Sequence, residues 1–286
     1  MNHQSTSHIL YVVERLSKQY LSDISALSPT DFEQPSKCHM WAVKDVVSHL
    51  VSINGFFQNS VVRSLGGDGM PPEGMPNPGT GSAVTMGDGI ANRAIQLSET
   101  ALSDRSQMIS ISERMETESL ETFKNVNTDE WDLPAYHPMN TLSPHLLLLL
   151  KLFELSIHSW DVFNALDDNY QIDPEAADIL IEVWKSPEIN RWFFTPNIEQ
   201  IDPVIMDVEF ESNKGLRLAS WSGTLDIMDR PSESTSAETT IKVSPSLFSL
   251  LITARAHLES NISDGNISLA GNKSAVRWFH TWFRGS

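Results

Sequence analysis

SPHLLLLLKLFELSIHSWDVFNAL, residues Ser143 to Leu166, is the stretch of this 286-residue chain that decides the fold. Pro144 directly follows Ser143, and this pair suits the cap and first turn of a helix. The stretch therefore predicts one long helix. Its longest unbroken apolar run, Leu146–Leu150, ends at Lys151 and is far shorter than the roughly 20 residues of a membrane span.

The second half of this helix holds the residues on which a functional hypothesis depends. Glu154 and His158 are four positions apart, so they lie about 40° apart around a helix and about 6 Å apart along it. Both can therefore reach one metal ion. The best third candidate is His49, whose apolar neighbours place it inside a bundle. Two histidines, a glutamate and an open fourth position are typical of catalytic zinc.

Each of these features is also common without a metal. A Glu-x-x-x-His pair occurs on many helices. A histidine among apolar residues, such as His49, is more often a hydrogen-bonded core residue. The residues alone leave both interpretations open.

The rest of the first two hundred residues predicts a helical bundle. Apolar residues recur with helical spacing in four long segments, which predicts a four-helix bundle. The segments run from about 7–27, 41–61, 90–123 and 143–166. Residues 66–89 are rich in Gly, Pro and Met and have no period, so we expect a lid, a binding loop or disorder there.

Beyond a predicted connector helix at about residues 174–194, the apolar period changes from 3.6 to 2. Short β-rich segments separated by turns are followed by helices, which predicts a small α+β domain. The predicted strands are 204–211, 216–221, 224–228, 239–243 and 266–271, and the predicted helices 246–259 and 274–283. We therefore predict two domains, residues 1–199 and 200–286.

Charge and cysteine content exclude several classes of protein. With 20 basic and 37 acidic residues, the formal net charge is −17. This argues against binding to nucleic acid or to an anionic membrane surface. Cys38 is the one cysteine, so no internal disulfide forms, and a reducing cytoplasm is expected. Cys38 itself is either a reactive thiol or, more commonly, an incidental residue. No signal peptide is read at the N-terminus.

Two motifs carry a resemblance to a known family. W-x-V-x-D-V-V-x-H-L (residues 41–50) and E-L-S-I-H-S-W-D (residues 154–161) resemble the mycothiol-dependent maleylpyruvate isomerase family. The resemblance covers about residues 5–195, and it implies a DinB-like four-helix metal-binding bundle. The later segment resembles that family's sterol-carrier-protein-like C-terminal domain. The matching pieces there are residues 215–218, 243–245, 254–256 and 269–271.

The resemblance also implies site residues and cosubstrates. His49, Glu154 and His158 match the metal ligands, which implies zinc or another divalent metal. Arg255 matches a catalytic arginine that points at the active site. Lys151 stands where the family often has arginine. A low-molecular-weight thiol such as mycothiol is the implied cosubstrate, together with a small electrophilic substrate.

The implied reaction starts with attack of the thiolate on an electrophilic carbon. Addition to a cis-enedioate, bond rotation and elimination give the trans isomer, whereas a leaving group gives S-transfer. Arg255 would clamp a carboxylate. Asp45 or Asp161 either orients a ligand imidazole or is an exposed residue on the helix surface. A hydrolase that uses metal-bound water, and a non-catalytic protein that binds small molecules or lipids, remain alternatives. The sequence does not decide the oligomeric state.

Overall fold

The chain divides into two compact units, Met1–Ala176 and Ala177–Ser286. The structure, a computed structural model, describes residues 3–194, 202–211, 214–231 and 237–283. The domain boundary predicted between residues 199 and 200 lies outside these described residues and stays a prediction.

The first unit is a helical bundle. Helix α3 packs against α4, α5 and α6, and α1 packs against α5 and α6. Helices α1, α3, α5 and α6 therefore form the predicted four-helix bundle, with α4 lying against α3. The helices are α1 (His3–Ala26), α2 (Pro29–Phe32), α3 (Val43–Leu65), α4 (Ala83–Glu99), α5 (Arg105–Lys124) and α6 (Pro144–Leu166).

The helix predicted over residues 90–123 is in fact two helices, α4 and α5. Ser82 accepts a hydrogen bond from the backbone N–H of Thr85 and begins α4 within the predicted loop. Asp104 likewise accepts from the N–H of Gln107 and begins α5. Side-chain caps satisfy the free N–H groups of a helix start, so these two local signals override the longer apolar period.

A short hairpin, which was not predicted from the sequence, precedes α6. It pairs β1 (Ala135–His137) with β2 (Asn140–Leu142). The Gly- and Pro-rich loop packs on it, since the N–H groups of Gly79 and Gly81 both donate to the carbonyl of Pro138 at 3.0 and 2.9 Å. The end of the predicted loop is therefore held against the hairpin by these hydrogen bonds, directly before α4 begins.

Helix α6 confirms the prediction for Ser143–Leu166 and lies at the centre of the bundle. Ser143 caps it, and nearly all of its side chains are buried on every face. Among the described residues, no helix combines the length and the apolar character needed to cross a membrane.

The predicted connector helix is divided as well. Helix α7 (Pro174–Lys185) ends before Ser186, and α8 (Pro187–Phe193) begins at the next residue. Pro187 has no N–H to donate and disfavours helical backbone at the residue before it, which explains the break.

The second unit is the predicted α+β domain. Its five-stranded sheet has the order β5-β4-β3-β6-β7, in which β3 and β6 are parallel and the other neighbours antiparallel. The helix predicted at 246–259 is two helices. The elements are β3 (Val204–Glu209), β4 (Gly215–Trp221), β5 (Thr224–Asp229), β6 (Thr239–Lys242), α9 (Pro245–Ile252), α10 (Leu258–Ser263), β7 (Ser268–Gly271) and α11 (Val276–Trp282).

Candidate metal centre

The three side chains singled out in the sequence lie together inside the first unit. His49 is on α3, and Glu154 and His158 are one turn apart on α6. Glu154 Oε2 is 3.0 Å from His49 Nε2 and 3.2 Å from His158 Nε2. One donor atom from each of the three residues lies within 4.8 Å of the other two. The helix spacing and the packing of α3 on α6 therefore converge on one point.

These separations suit a small cation. In a tetrahedral zinc site with bonds of about 2 Å, neighbouring ligand atoms lie about 3.3 Å apart. The two nitrogen-to-oxygen distances at Glu154 are close to this value. Two imidazoles and one carboxylate are also the donor types that zinc accepts, so the residues present fit a divalent metal.

Burial and the charges of neighbouring groups shift the pKa values of all three side chains. Burial disfavours the charged form of His49 and lowers its pKa. Burial acts to raise the pKa of Glu154, but hydrogen bonds and charge interactions with His158 and His49 outweigh it and hold that pKa well below its usual range. Glu154 is thus a carboxylate at neutral pH, as a metal ligand must be.

Of the two aspartates considered from the sequence, Asp161 is the one that forms a hydrogen bond with a candidate ligand imidazole. Its Oδ2 lies 2.9 Å from His158 Nδ1, and the carboxylate is fully buried. With a proton at Nδ1 bonded to Asp161, the neutral ring keeps the lone pair of Nε2 for a metal that Glu154 would also bind. Although burial opposes it, hydrogen bonds with Asp161 and Glu154 raise the pKa of His158. Asp45, the alternative, instead accepts hydrogen bonds from the N–H of Ala42 and from Ser98.

Two aromatic side chains lie near the site in positions that the sequence did not predict. The ring of Trp41 lies 5.1 Å from that of His49 and 6.0 Å from that of His158, centroid to centroid. Trp41 therefore forms a wall beside both imidazoles. Trp41 begins the W-x-V motif, but no sequence signal places its ring against a histidine 117 residues away on another helix.

His137 is the second. It lies in β1, is buried, and packs edge-on against Phe56 with 5.4 Å between the ring centroids. Burial lowers its pKa to about 4 even though the charge of Glu154 opposes the shift. His137 is therefore a neutral imidazole that lies close enough to Glu154 to interact with its charge.

The remaining predicted residues have different surroundings. Lys151 is 2% exposed and ion-paired with Glu116 at 2.6 Å, so it does not offer its charge to a substrate. Cys38 is partly buried, and its sulfur lies within 4.8 Å of donor atoms of His158 and Asp161. Arg255 is in the second unit, in the turn after α9, where its Nη1 donates to the carbonyl of Thr253. Its catalytic role stays a prediction.

Comparison with known proteins adds a family and a fold. Residues 13–163, more than half of the chain, match the model of the mycothiol maleylpyruvate isomerase N-terminal domain. No curated protein matches the chain significantly in sequence.

Two solved structures share the fold across both units. A crystal structure of the mycothiol-dependent maleylpyruvate isomerase is 13% identical, with 88% of this chain and 90% of that chain covered and a TM-score of 0.57. A mutant of that isomerase is 13% identical, with 93% and 92% covered and a TM-score of 0.60. The predicted fold class, a helical bundle followed by an α+β domain, is confirmed.

A shorter match is to sterol carrier protein-2 like-3 from Aedes aegypti. It is 21% identical over 28% of this chain and 82% of that chain, with a TM-score of 0.23. A score this low does not establish a shared fold.

Proposed function

The chain belongs to the mycothiol maleylpyruvate isomerase N-terminal domain family, and we propose on this premise that it is a metal- and thiol-dependent enzyme. Its reaction is isomerisation or S-conjugation of a small electrophilic substrate. The observation that carries the proposal is the convergence of His49 Nε2 and His158 Nε2 on Glu154 Oε2 within a domain of this family.

The thiol in this proposal is a cosubstrate. Cys38 is the one cysteine of the chain, and it lies on the Asp161 side of His158 rather than among the three proposed ligands. The similar solved structures are described as mycothiol-dependent, so we infer a low-molecular-weight thiol of this class.

His49, Glu154 and His158 would hold a divalent metal, with zinc favoured by the donor set. When bound, such a metal favours the thiolate form of a coordinating thiol at neutral pH. The chain's own residues prepare the site. Asp161 holds the ring of His158 with Nε2 turned to the site. Trp41 lies beside both imidazoles and would limit the access of water from that side.

Arg255 is proposed, from the resemblance, to bind a substrate carboxylate through its two-pronged guanidinium group. A chain of net charge −17 needs such a local cation if its substrate is a dicarboxylate. If Arg255 binds the carboxylate, Arg255→Ala raises KM roughly ten- to hundredfold without changing the metal content. Unchanged kinetics would remove Arg255 from the proposal.

The test is a turnover assay with zinc-loaded protein. Mycothiol or glutathione is supplied with a cis-enedioate such as maleylpyruvate, or with an electrophile that carries a leaving group, and thiol is omitted in parallel. We expect one metal per chain and turnover that requires both thiol and His158. A His158→Ala variant with the same metal content and the same activity as the parent would contradict the proposal. Activity without thiol would point to a metal-dependent hydrolase, and a co-purified lipid without turnover to a binding protein.

A further inference from the structure

A buried polar cluster joins four helices next to the candidate metal centre. Lys151 Nζ donates to Glu116 Oε1 at 2.6 Å and to Asn54 Oδ1 at 2.5 Å. Asn54 Nδ2 donates to Glu116 Oε2, and Ser17 donates to Glu116 Oε1, both at 2.6 Å. The four residues come from α1, α3, α5 and α6, and each is at most 5% exposed.

Glu116 is ionised despite its burial, and it forms an ion pair with Lys151. Burial acts to raise the pKa of Glu116, but the charge of Lys151 and hydrogen bonds from Lys151, Ser17 and Asn54 reverse this and lower it. Because the two charges are matched, the cluster carries no net charge. Its effect on its surroundings is therefore geometric rather than electrostatic.

Stability is a weak explanation for such a pair. Replacing a buried ion pair by apolar residues of similar volume is often neutral or stabilising. Buried polar groups are better attested as devices that fix the register of packed helices. Apolar contacts between helices tolerate small shifts, whereas hydrogen bonds lose their geometry when one helix slides past another.

The cluster lies where register matters most. Lys151 precedes Glu154 by three residues, about 4.5 Å along α6, and Asn54 follows His49 by five residues, about 7.5 Å along α3. The Lys151–Asn54 hydrogen bond thus joins the same two helices that supply the three candidate ligands. A ligand set has to be held to within about 0.5 Å of its productive geometry.

We propose that Lys151, Glu116 and Asn54 are positioning residues that fix the register of α3 against α6, and so hold His49 at metal-binding distance from Glu154. This inference rests on the proposed function, since it concerns the metal centre on which that function depends. The cluster would thereby determine the affinity of the site for a metal and the geometry of its ligands.

The first test removes only the link to α3. Asn54→Leu leaves Lys151 and Glu116 paired, so no buried charge loses its partner. We expect the variant to fold and to bind Zn2+ at least about tenfold more weakly, the scale seen when supports of metal ligands are removed. We also expect the visible absorption bands of bound Co2+ to change in position or intensity, because they report ligand geometry directly.

A second variant removes the whole cluster in apolar form. Ser17→Ala, Asn54→Leu, Glu116→Leu and Lys151→Met are combined, and the same loss of affinity and the same spectral change are expected with a melting temperature close to the parent's. Lys151→Arg, which keeps the charge and can still pair with Glu116, is expected to retain the parent's Zn2+ affinity.

The control is Val61→Ala, which creates a cavity on α3 seven residues beyond Asn54, about 10 Å along the helix. It should lower thermal stability and leave the Co2+ spectrum unchanged. If the parent binds Co2+ one-to-one and Asn54→Leu binds it with the same affinity and spectrum, the inference is overturned while the proposed function stands. If the parent binds no Co2+, the proposed function fails and the inference with it.

Discussion

His158 faces a carboxylate on each side of its ring, Asp161 at Nδ1 and Glu154 at Nε2. The side that points to Asp161 is buried, and the side that points to Glu154 belongs to the proposed ligand set. This arrangement separates the two nitrogens by role, one for orientation and one for binding. The consequence can be measured at single residues.

The first prediction concerns Asp161→Asn. The amide keeps the size of the side chain but no longer holds a proton at His158 Nδ1 by charge. We expect the Zn2+ affinity to fall roughly 10- to 100-fold, as for other supports of ligand histidines. Competition with a chromophoric chelator measures the change.

Asp45→Asn is the matched control, because Asp45 serves the start of α3 and Ser98 rather than an imidazole. This variant should lose some thermal stability and keep the parent's Zn2+ affinity. Equal losses of affinity in both variants would show that Asp161 acts only through the stability of the fold.

The second prediction concerns pH and His137. Its pKa falls from 6.5 when exposed to about 4 in the fold, so folding favours the neutral ring. Its contribution to stability is therefore complete above about pH 6.5 and is lost as the pH falls towards 4. A shift of this size corresponds to about 3 kcal/mol of unfolding free energy.

His137→Asn keeps an acceptor near the N–H of Met139, which bonds the ring's Nδ1, and removes the titration. Denaturant unfolding at several pH values, with a chelator present throughout, should show a smaller loss of stability between pH 6.5 and 4 than in the parent. The exposed His39 supplies the control, since His39→Asn should follow the parent. Parallel pH curves for His137→Asn and the parent would contradict the assignment.

At the scale of elements, helices are set by their caps as much as by their apolar period. The run from residue 90 to 123 has helical spacing throughout, yet Asp104 begins a new helix within it. The loop before α4 is positioned by the hairpin rather than by its own residues. Close approach of its glycines to Pro134 and Pro138 shows why small residues are needed.

The third prediction tests that contact. A Cβ on Gly81 would lie 2.7 Å from the Cβ of Pro138, so the backbone has to shift. We expect Gly81→Ala to lower the unfolding free energy by about 1–3 kcal/mol, the usual cost of overpacking. Gly87→Ala is the control, because Gly87 is inside α4 with nothing within 4 Å of its new methyl group. It should stabilise the helix by about 0.5–1 kcal/mol. Thermal melts of both variants measure these changes. An unchanged melting temperature for Gly81→Ala would mean that the loop can shift away from the hairpin without loss of stability.

At the scale of the molecule, a metal held by α3 and α6 would couple the folding of the first unit to metal binding. Ligand binding to the native state alone adds about 2.7 kcal/mol of stability when the free metal is a hundred times its Kd. The fourth prediction is that EDTA lowers the melting temperature of the parent and that Zn2+ restores it.

His158→Ala distinguishes this effect from other effects of the chelator. Scanning calorimetry of the variant should give the same transition with EDTA and with Zn2+. A parent protein whose melting temperature is indifferent to both additions would show that the three side chains hold no metal in the native state.

The sequence by itself determined what depends on neighbours along the chain. It predicted α6, the shared face of Glu154 and His158, and the change to an α+β unit, because helix geometry fixes the spacing of residues a turn apart. Only the tertiary structure decided the 3.0 Å approach of His49, the choice of Asp161 over Asp45, and the burial of Lys151 against Glu116. These contacts join residues far apart in sequence, and their distances follow from how whole helices pack rather than from any local pattern.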